Sequence, residues 1–196
     1  KKNIINLNGK PLIWYSIMAS NESMVNETWL STDDDEIKSA AEQFGANVID
    51  RPKSISGDYS KSEEALLHFA ENVEFDVLVF IQPTSPFINS LDINSGLKML
   101  KNYDSIFSAY SQHWLPVWDE NISPVGWDTY ERPMRQDVGK TYVENGAFYI
   151  TTKKLLLQNK NRYSGKIGIH SMPFSRSLQI DSYEDLELIE KMFKIK

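Results

Sequence analysis

Short apolar runs alternate along the chain with segments whose apolar residues have helical spacing. Strand-like runs occupy positions 27–32, 47–50, 77–81, 105–110 and 147–151. Helix-like segments occupy positions 11–20, 33–44, 62–72, 91–102 and 182–193. Alternating strands and helices favour a layered fold with right-handed crossovers. We therefore expect an α/β fold with an open, mostly parallel sheet flanked by helices.

Three of the expected elements place polar clusters at strand ends. The apolar run Val77–Ile81 suits a strand covered on both faces, and the QPTSP segment at 82–86 ends it. Polar clusters also stand at 31–33 (STD) and 179–181 (QID). Ligands of open α/β sheets bind beyond the carboxyl ends of the strands. The pattern therefore predicts one site formed by these clusters.

The alternation breaks between positions 111 and 134. This stretch holds three tryptophans and three prolines without clean periodicity. It indicates an inserted arm, which we place at about 111–140, within a single domain that spans the 196 residues. A lobe packed only on itself is the alternative.

The amino-acid composition excludes several kinds of active site and binding partner. The chain has no cysteine, which excludes disulfides, thiolate metal sites and thiol nucleophiles, and favours the cytoplasm. A formal charge of -6 argues against a general nucleic-acid binder. No apolar run approaches the roughly 20 residues that span a bilayer, so no membrane partner is expected.

The side chains that remain for chemistry are carboxylates, amides, hydroxyls and cations. The chain lacks the G-x-S-x-G elbow of many serine hydrolases, and its three histidines are not at metal-ligand spacing. Oxygen ligands suit magnesium, and arginine forks suit carboxylates and phosphates. Lys2, Lys10, Arg51, Arg132 and Arg135 lie at turns or near strand ends, although each alone is also compatible with an ordinary surface charge.

At this point the chain resembles the acylneuraminate cytidylyltransferase family, the CMP-sialic acid synthetases. The resemblance is carried by KN at 2–3, NGKPL at 8–12, STD at 31–33, RP at 51–52, GDYSKS at 57–62, QPTSP at 82–86, RQD at 135–137, ENGAFYI at 144–150, and ID at 180–181 before ED at 184–185. These segments occur in the family's order and cover nearly the whole chain.

The resemblance implies a reaction in which the anomeric hydroxyl of an acidic nine-carbon sugar attacks the α-phosphate of CTP, with Mg²⁺ as cofactor. It implies that Lys2 and Arg135 are catalytic and that the metal-ligand candidates are Asp181, Gln179 and Asp33. The residues it implies for CTP contact are Lys2, Asn3, Arg51, Asp58, Ser60 and Ser62. The residues it implies for sugar contact are Gln82, Ser85, Arg135, Gln136 and Asn145. It also implies a homodimer in which the arm reaches the neighbouring subunit's site. Family members begin with a strand and a phosphate loop ending in Lys-Asn, so we expect both to be missing before Lys2.

Several of these residues have a structural alternative. Asp181 and Asp33 are each also placed to cap a following helix, and Asp58 and Ser60 are also placed to cap a loop. Gln82 and Ser85 also fit a proline-rich strand terminator.

The sequence departs from the family pattern at three positions, where it has Gln179 for an aspartate, and Ile88 and Val143 where arginine is common. The sugar therefore stays open among N-acetylneuraminate, legionaminate and pseudaminate. Two other functions also stay open. One is 3-deoxy-manno-octulosonate cytidylyltransferase, and the other is a non-catalytic nucleotide-sugar-binding module of the same fold.

Overall fold

The computed structural model describes residues 2–195. Its strands, in chain order, are β1 (Asn6–Leu7), β2 (Lys10–Pro11), β3 (Trp29–Thr32), β4 (Asn47–Asp50), β5 (Val77–Ile81), β6 (Ser105–Gln112), β7 (Thr141–Thr152) and β8 (Ile167–Ser171). Its helices are α1 (Leu12–Asn21), α2 (Asp35–Gln43), α3 (Ser62–Asn72), α4 (Ser90–Met99), α5 (Lys153–Asn159) and α6 (Tyr183–Ile195).

The main sheet has the strand order β5-β7-β6-β8, and β3 and β4 form a separate parallel pair. Strand β7 is antiparallel to β5 and β6, whereas β8 is parallel to β6. Three of the four main strands therefore run in one direction, and the expected mostly parallel α/β sheet is confirmed. The short strands β1 and β2 form an antiparallel hairpin.

The strand pair and the main sheet lie in one layer, because the same two helices cover both. On one face, Ile13 and Ile17 of α1 pack in a cluster that includes β3 and β4, while Ala19 of the same helix joins the cluster around β5. On the other face, α3 packs on β5, and its Phe69 ring lies 5.9 Å from the ring of Trp29 on β3. Within residues 2–195, no ladder joins β3 to β5.

The largest core cluster lies between the main sheet and helices α1 and α4. Ile93, Ile106, Phe148 and Ile150 are its most buried large side chains. A Cβ at Gly96 of α4 would come within 2.7 Å of the Phe148 ring, so this helix packs unusually close to β7. Burial of this kind is the main stabilising term of the fold, at about 25 cal/mol per Å² of apolar surface.

The expected elements differ from the structure mainly around β7. Helix α3 and strand β5 have the expected bounds, but β7 is twelve residues long where a strand at 147–151 was expected. Strand β8 and helix α5 were not expected. The IGIHS pattern of β8 is interrupted by Gly168, a residue of low strand propensity, whose missing Cβ leaves space for the Tyr103 ring. Among the described residues, no helix combines the length and apolar content that crossing a membrane requires.

Candidate functional site

A distortion of β7 forms the centre of the site. Ala109 of β6 pairs with Glu144, and the next pair along is Phe107 with Tyr149, so β7 carries extra residues between the two pairs. Bulges of this kind bend a strand and redirect its side chains, often beside active sites. The distortion places Asn145 and Gly146 at the edge of the sheet where β5 ends.

The side chain of Asn145 is buried and fully engaged. Its amide nitrogen donates to Ser177 Oγ at 2.9 Å and to Met172 Sδ at 3.3 Å, and its oxygen accepts from the backbone of Ala147 at 3.2 Å. A bond donated by this amide nitrogen to a sugar would require one of its two acceptors to be exchanged, because both of its N–H groups are already in use. In this structure Asn145 holds the distorted backbone in place.

Gly146 brings two glutamines together. Its φ is +64°, and a Cβ there would lie 2.1 Å from Gln179 Nε2 and 2.3 Å from Gln82 Oε1. The amide nitrogen of Gln179 donates to the backbone oxygen of Asn145. Gln82, a sugar-site candidate, and Gln179, a metal candidate, therefore both lie against Gly146.

The segment after β5 is joined to the segment before α6. The backbone nitrogen of Ile180 donates to the oxygen of Thr84 at 2.9 Å. The next residue, Ser85, is 1% exposed, and its hydroxyl has no hydrogen-bond partner among the described residues. A buried unpaired hydroxyl is costly, which makes Ser85 a candidate for a ligand contact.

Lys2 and Asp181 form an ion pair beside a cavity. Lys2 Nζ lies 2.7 Å from Asp181 Oδ1, and the two side chains are 42% and 66% exposed. The neighbouring cavity has a volume of about 440 Å³. Its lining consists of Lys2, Ile5, Ile180, Asp181, Ser182, Tyr183 and Leu186. Lys2 and residues between 180 and 186, which come from opposite ends of the described chain, thus line the same cavity.

The structure decides against the capping alternatives for the two aspartates. Ser182 and Asp185 bond reciprocally at the start of α6, with Ser182 N donating to Asp185 Oδ2 at 2.7 Å, so Asp181 is not the cap. Asp34 caps α2 by accepting from the backbone of the following turn, so Asp33 is not the cap there. Asp33 instead lies 3.8 Å from Arg51.

A second, smaller cavity of about 200 Å³ lies between β4 and α3. Its lining consists of Arg51, Ile55, Ser56, Gly57, Ser60, Lys61, Ser62 and Ala65. Arg51 donates to Ser56 Oγ at 3.0 Å, and Ser60 Oγ accepts from the backbone of Gly57 at 3.1 Å, so Ser60 does cap its loop. The structure thus brings together Arg51, Ser60 and Ser62, whereas Asp58 lies exposed in the same loop.

The remaining expected site residues occupy two other places. Asn3 is partly buried in the 3-10 turn Lys2–Ile4, next to Lys2. Arg135 and Gln136 are exposed on the arm, and Gln136 contacts Met134 Sδ at 3.4 Å.

Two charged networks near the site were not expected from the sequence. Buried Asp92, at the start of α4, accepts a bidentate pair of bonds from Arg176 and lies 3.3 Å from His170 Nε2. Burial alone would raise the pKa of Asp92, but the bonds from His170 and Arg176 outweigh it and lower that pKa. The second network joins Glu63, Glu144 and Arg162. Neither leaves a local sequence signal, because the partners are many positions apart.

Asp181 is the carboxylate at this edge of the sheet that is best suited to bind a metal ion. Within residues 2–195, no three His, Asp or Glu side chains converge as a set that could hold a metal ion. Mg²⁺ is commonly held by one or two carboxylates plus substrate phosphates, rather than by a cage of protein ligands. Asp181 fits that requirement because it is exposed beside a cavity and free of a capping role. Gln179 and Asp33 have the partners given above.

Comparison with known proteins gives consistent matches. A family model described as "Cytidylyltransferase" matches residues 1–195. N-acylneuraminate cytidylyltransferase B of Danio rerio is 34% identical over an alignment of 199 residues, which covers 97% of this chain and 47% of that protein. Pseudaminic acid cytidylyltransferase of Campylobacter jejuni is 30% identical over 209 residues, which cover 100% of this chain and 90% of that protein. The chain thus spans about half the length of the N-acylneuraminate enzymes it matches.

Two solved structures share the fold. One is a CMP:2-keto-3-deoxy-manno-octonic acid synthetase complexed with CTP, with a TM-score of 0.71 and 16% identity, covering 98% of this chain and 91% of that one. The other is a 4-diphosphocytidyl-2C-methyl-D-erythritol synthase from Anaerococcus prevotii, with a TM-score of 0.74 and 12% identity, covering 98% and 93%. At these identities the likeness shows the fold alone.

Proposed function

Because the chain belongs to the cytidylyltransferase family, we propose that it transfers CMP from CTP to the anomeric hydroxyl of an acidic nine-carbon sugar. The sugar oxygen bonds to the α-phosphorus, the bond from that phosphorus to the bridging oxygen breaks, and pyrophosphate leaves. The hydroxyl proton is released to water. Two observations support the proposal: Gln82 and Gln179 lie together against Gly146, and Lys2 pairs with Asp181, two residues after Gln179.

CTP would occupy the two cavities. We assign cytosine and ribose to the smaller one, where Arg51, Ser60 and Ser62 offer a cation and two hydroxyls and Asp58 lies in the same loop. Asn3 would contact the nucleotide from its position next to Lys2. Lys2 would then neutralise phosphate charge. Phosphoryl transfer depends mainly on positioning and charge neutralisation, which suits a site of cations and amides.

We assign Mg²⁺ to the same wall as Lys2. Asp181 would hold the ion together with oxygens of the triphosphate. When bound there, the ion neutralises phosphate charge and lowers the pKa of a bound hydroxyl. Gln179 and Asp33 remain secondary candidates, since Gln179 already donates to Asn145 and Asp33 pairs with Arg51.

The sugar would lie over the distorted part of β7. Gln82 and Gln179 present amides there, and the unpaired hydroxyl of Ser85 is a further candidate contact. Asn145 would act by holding the backbone and by exchanging one of its bonds. The matches leave N-acylneuraminate and pseudaminate as the first sugars to test.

We further propose a homodimer formed through the arm. Large apolar side chains on the arm are exposed, with Ile122 at 80% and Tyr130 at 98%. Arg132 lies over the rings of Trp114 and Trp127, so these three side chains pack together within the arm. Aromatic side chains and arginine are enriched at protein interfaces. In the dimer, Arg135 and Gln136 would reach the partner's sugar. Light scattering on Tyr130→Ser, with Tyr59→Ser as an equally exposed control outside the arm, tests the interface.

Among the described residues, β3 pairs only with β4 and β5 pairs only with β7, so each of them has one edge without a partner strand. We propose that an extended segment lies between them, parallel to both, and that the phosphate loop follows it. The shared cover of α1 and α3 supports this, as does Ser31 of β3, whose buried hydroxyl has no partner among the described residues. The domain would then contain residues 1–196 and this strand.

The decisive assay is pyrophosphate release by the full-length protein with CTP, Mg²⁺ and a panel of sugars. Release with a nine-carbon acid is the expected result, and release with no nonulosonic acid would refute it. Release only with the eight-carbon 3-deoxy-manno-octulosonate would establish that enzyme instead. CTP binding without turnover would indicate a binding module. We place the reaction in the cytoplasm, where CTP is made, and cell fractionation tests that placement.

A further inference from the structure

A charged network lies on the face of the sheet that α3 covers. Arg162 Nε donates to Glu63 Oε1 at 2.7 Å, and the Arg162 guanidinium lies 4.6 Å from the centre of the Tyr149 ring. The hydroxyl of Tyr163 donates to Glu144 Oε2 at 2.5 Å. The hydroxyl of Tyr149 donates to the other oxygen of Glu144. We call the consecutive residues Arg162 and Tyr163 the clamp.

The clamp joins the two halves of the proposed site. Glu63 is the second residue of α3, directly after the loop that lines the smaller cavity. Glu144 directly precedes Asn145 and Gly146, which carry the distortion of β7. Arg162 and Tyr163 are adjacent residues of the short connection between α5 and β8. Arg162 bonds to Glu63 at the start of α3, the helix that follows the nucleotide loop. Tyr163 bonds to Glu144 at the start of the sugar segment, which is residues 144–147.

The clamp is built to hold a fixed geometry. The side chain of Arg162 is 11% exposed and that of Glu63 is 26% exposed, so the pair is largely screened from water. The guanidinium lies over the two neighbouring rings of Phe80 and Tyr149, at 5.1 and 4.6 Å from their centres. Ion pairs of this kind are far less mobile than exposed ones, whose partners keep most of their rotamer freedom.

The protonation states keep the clamp closed at neutral pH. The hydrogen bond from Arg162 lowers the pKa of Glu63, so this carboxylate is ionised. Burial, and then the bond to Glu144, raise the pKa of Tyr149 to about 12, so this hydroxyl keeps the proton that it donates. The pKa of Tyr163 is raised for the same two reasons.

We propose that Arg162 and Tyr163 are positioning residues that set the distance between the nucleotide loop and the sugar segment. Neither touches a reacting atom. In-line transfer needs its reactants aligned, and a misplacement of about 1 Å can cost about a hundredfold in rate. Arg162 acts through Glu63 on the nucleotide side, and Tyr163 acts through Glu144 on the sugar side. The inference rests on the proposed function.

Three variants of the full-length protein test the clamp. Glu63→Gln removes the ion pair with Arg162, and Tyr163→Phe removes one bond to Glu144. The control is Glu74→Gln, which breaks a similar pair just beyond the opposite end of α3. There Lys153 Nζ lies 3.1 Å from Glu74 Oε2 and 5.4 Å from the centre of the Phe75 ring, but the Glu74 side chain is 98% exposed, so this pair matches the first in charge and ring contact and not in burial.

We expect Glu63→Gln to raise the KM for CTP by about tenfold or more, and Tyr163→Phe to raise the KM for the sugar and lower kcat by a similar factor. Glu74→Gln should leave both KM values within about twofold. A general loss of stability would change the KM for CTP and the KM for the sugar together, and would not change one without the other. Equal effects of Glu63→Gln and Glu74→Gln, or a Tyr163→Phe enzyme with unchanged constants, would overturn the proposal.

Hydrogen exchange separates this inference from the proposed function. Glu63→Gln should speed amide exchange at residues 57–64, Tyr163→Phe should speed it at 144–147, and Glu74→Gln should do neither. This measurement needs no turnover. If the unsubstituted protein releases no pyrophosphate, the proposed function fails, and exchange alone decides the clamp. Unchanged exchange in both test variants would refute the clamp even in an active enzyme.

Discussion

Replacing Gly146 of β7 with alanine should destabilise the protein for two separate reasons, one in the backbone and one in the side chains around it. The residue has a φ of +64°, and a non-glycine residue in this region costs about 1–2 kcal/mol. The added Cβ would also come within 2.1 Å of Gln179 Nε2 and 2.3 Å of Gln82 Oε1. Displacing Gln179 breaks its bond to Asn145 O, at a net cost of about 1 kcal/mol. We therefore expect a loss of about 2–4 kcal/mol in the free energy of unfolding.

Two other glycines of the chain separate the contributions. Gly126 has a φ of +75° and open space around its missing Cβ, so Gly126→Ala should lose only the backbone cost of about 1–2 kcal/mol. Gly139 has open space and no positive φ, so Gly139→Ala should be nearly neutral.

Urea denaturation of the three variants measures these differences, and a change in midpoint without a change in slope reports stability. The double variant Gly146→Ala with Gln179→Ala should lose less than the sum of its single changes, because the closest clashing atom is gone. The reasoning is wrong if Gly146→Ala costs no more than Gly126→Ala.

Three further outcomes follow from the contacts described. Asp181→Asn should reduce turnover at limiting Mg²⁺ at least tenfold with little change in melting temperature, since its side chain is 66% exposed; an unchanged rate would remove it from the metal site. Asp92→Asn should cost about 3–5 kcal/mol by leaving Arg176 without its buried partner. The pKa of Asp92 is lowered in the folded state, so its contribution to the free energy of unfolding is fully present above its unfolded pKa of about 3.9. This contribution is lost as the pH falls further. The stability of the wild type should therefore fall more steeply in acid than that of Asp92→Asn. Asp34→Ala should cost about 0.5–2 kcal/mol in denaturation, and Asp33→Ala much less, because only Asp34 caps α2.

Local patterns were sufficient for the elements with uninterrupted periodicity, and they missed β8 and α5. Helix α3 and strand β5 have the bounds that periodicity predicts, because each has an uninterrupted pattern and clear ends. Of the three polar segments that the sequence placed at strand ends, 31–33 and 82–86 do lie at the ends of strands, whereas 179–181 lies in a loop bonded to Thr84. The resemblance to the cytidylyltransferases rests on segments of this kind, and the family is confirmed.

The roles of individual polar residues could not be obtained in this way. Asp33 and Asp34 are neighbours of the same type, and only the path of the backbone makes Asp34 the cap and turns Asp33 toward Arg51. Likewise, Ser182 relieves Asp181 of the capping role by its bonds with Asp185. Adjacent positions compete for such roles on differences of geometry that a one-dimensional pattern does not contain.

The sequence by itself determined the fold class and the order of most elements. The tertiary structure alone decided the reversed direction and distortion of β7, the meeting of Gln82 and Gln179 at Gly146, and the joining of Glu63 to Glu144 through Arg162 and Tyr163. The physical reason is separation along the chain. Helices and strands arise from neighbours a few residues apart, whereas Arg162 and Glu63 are 99 positions apart and meet only when the sheet has formed.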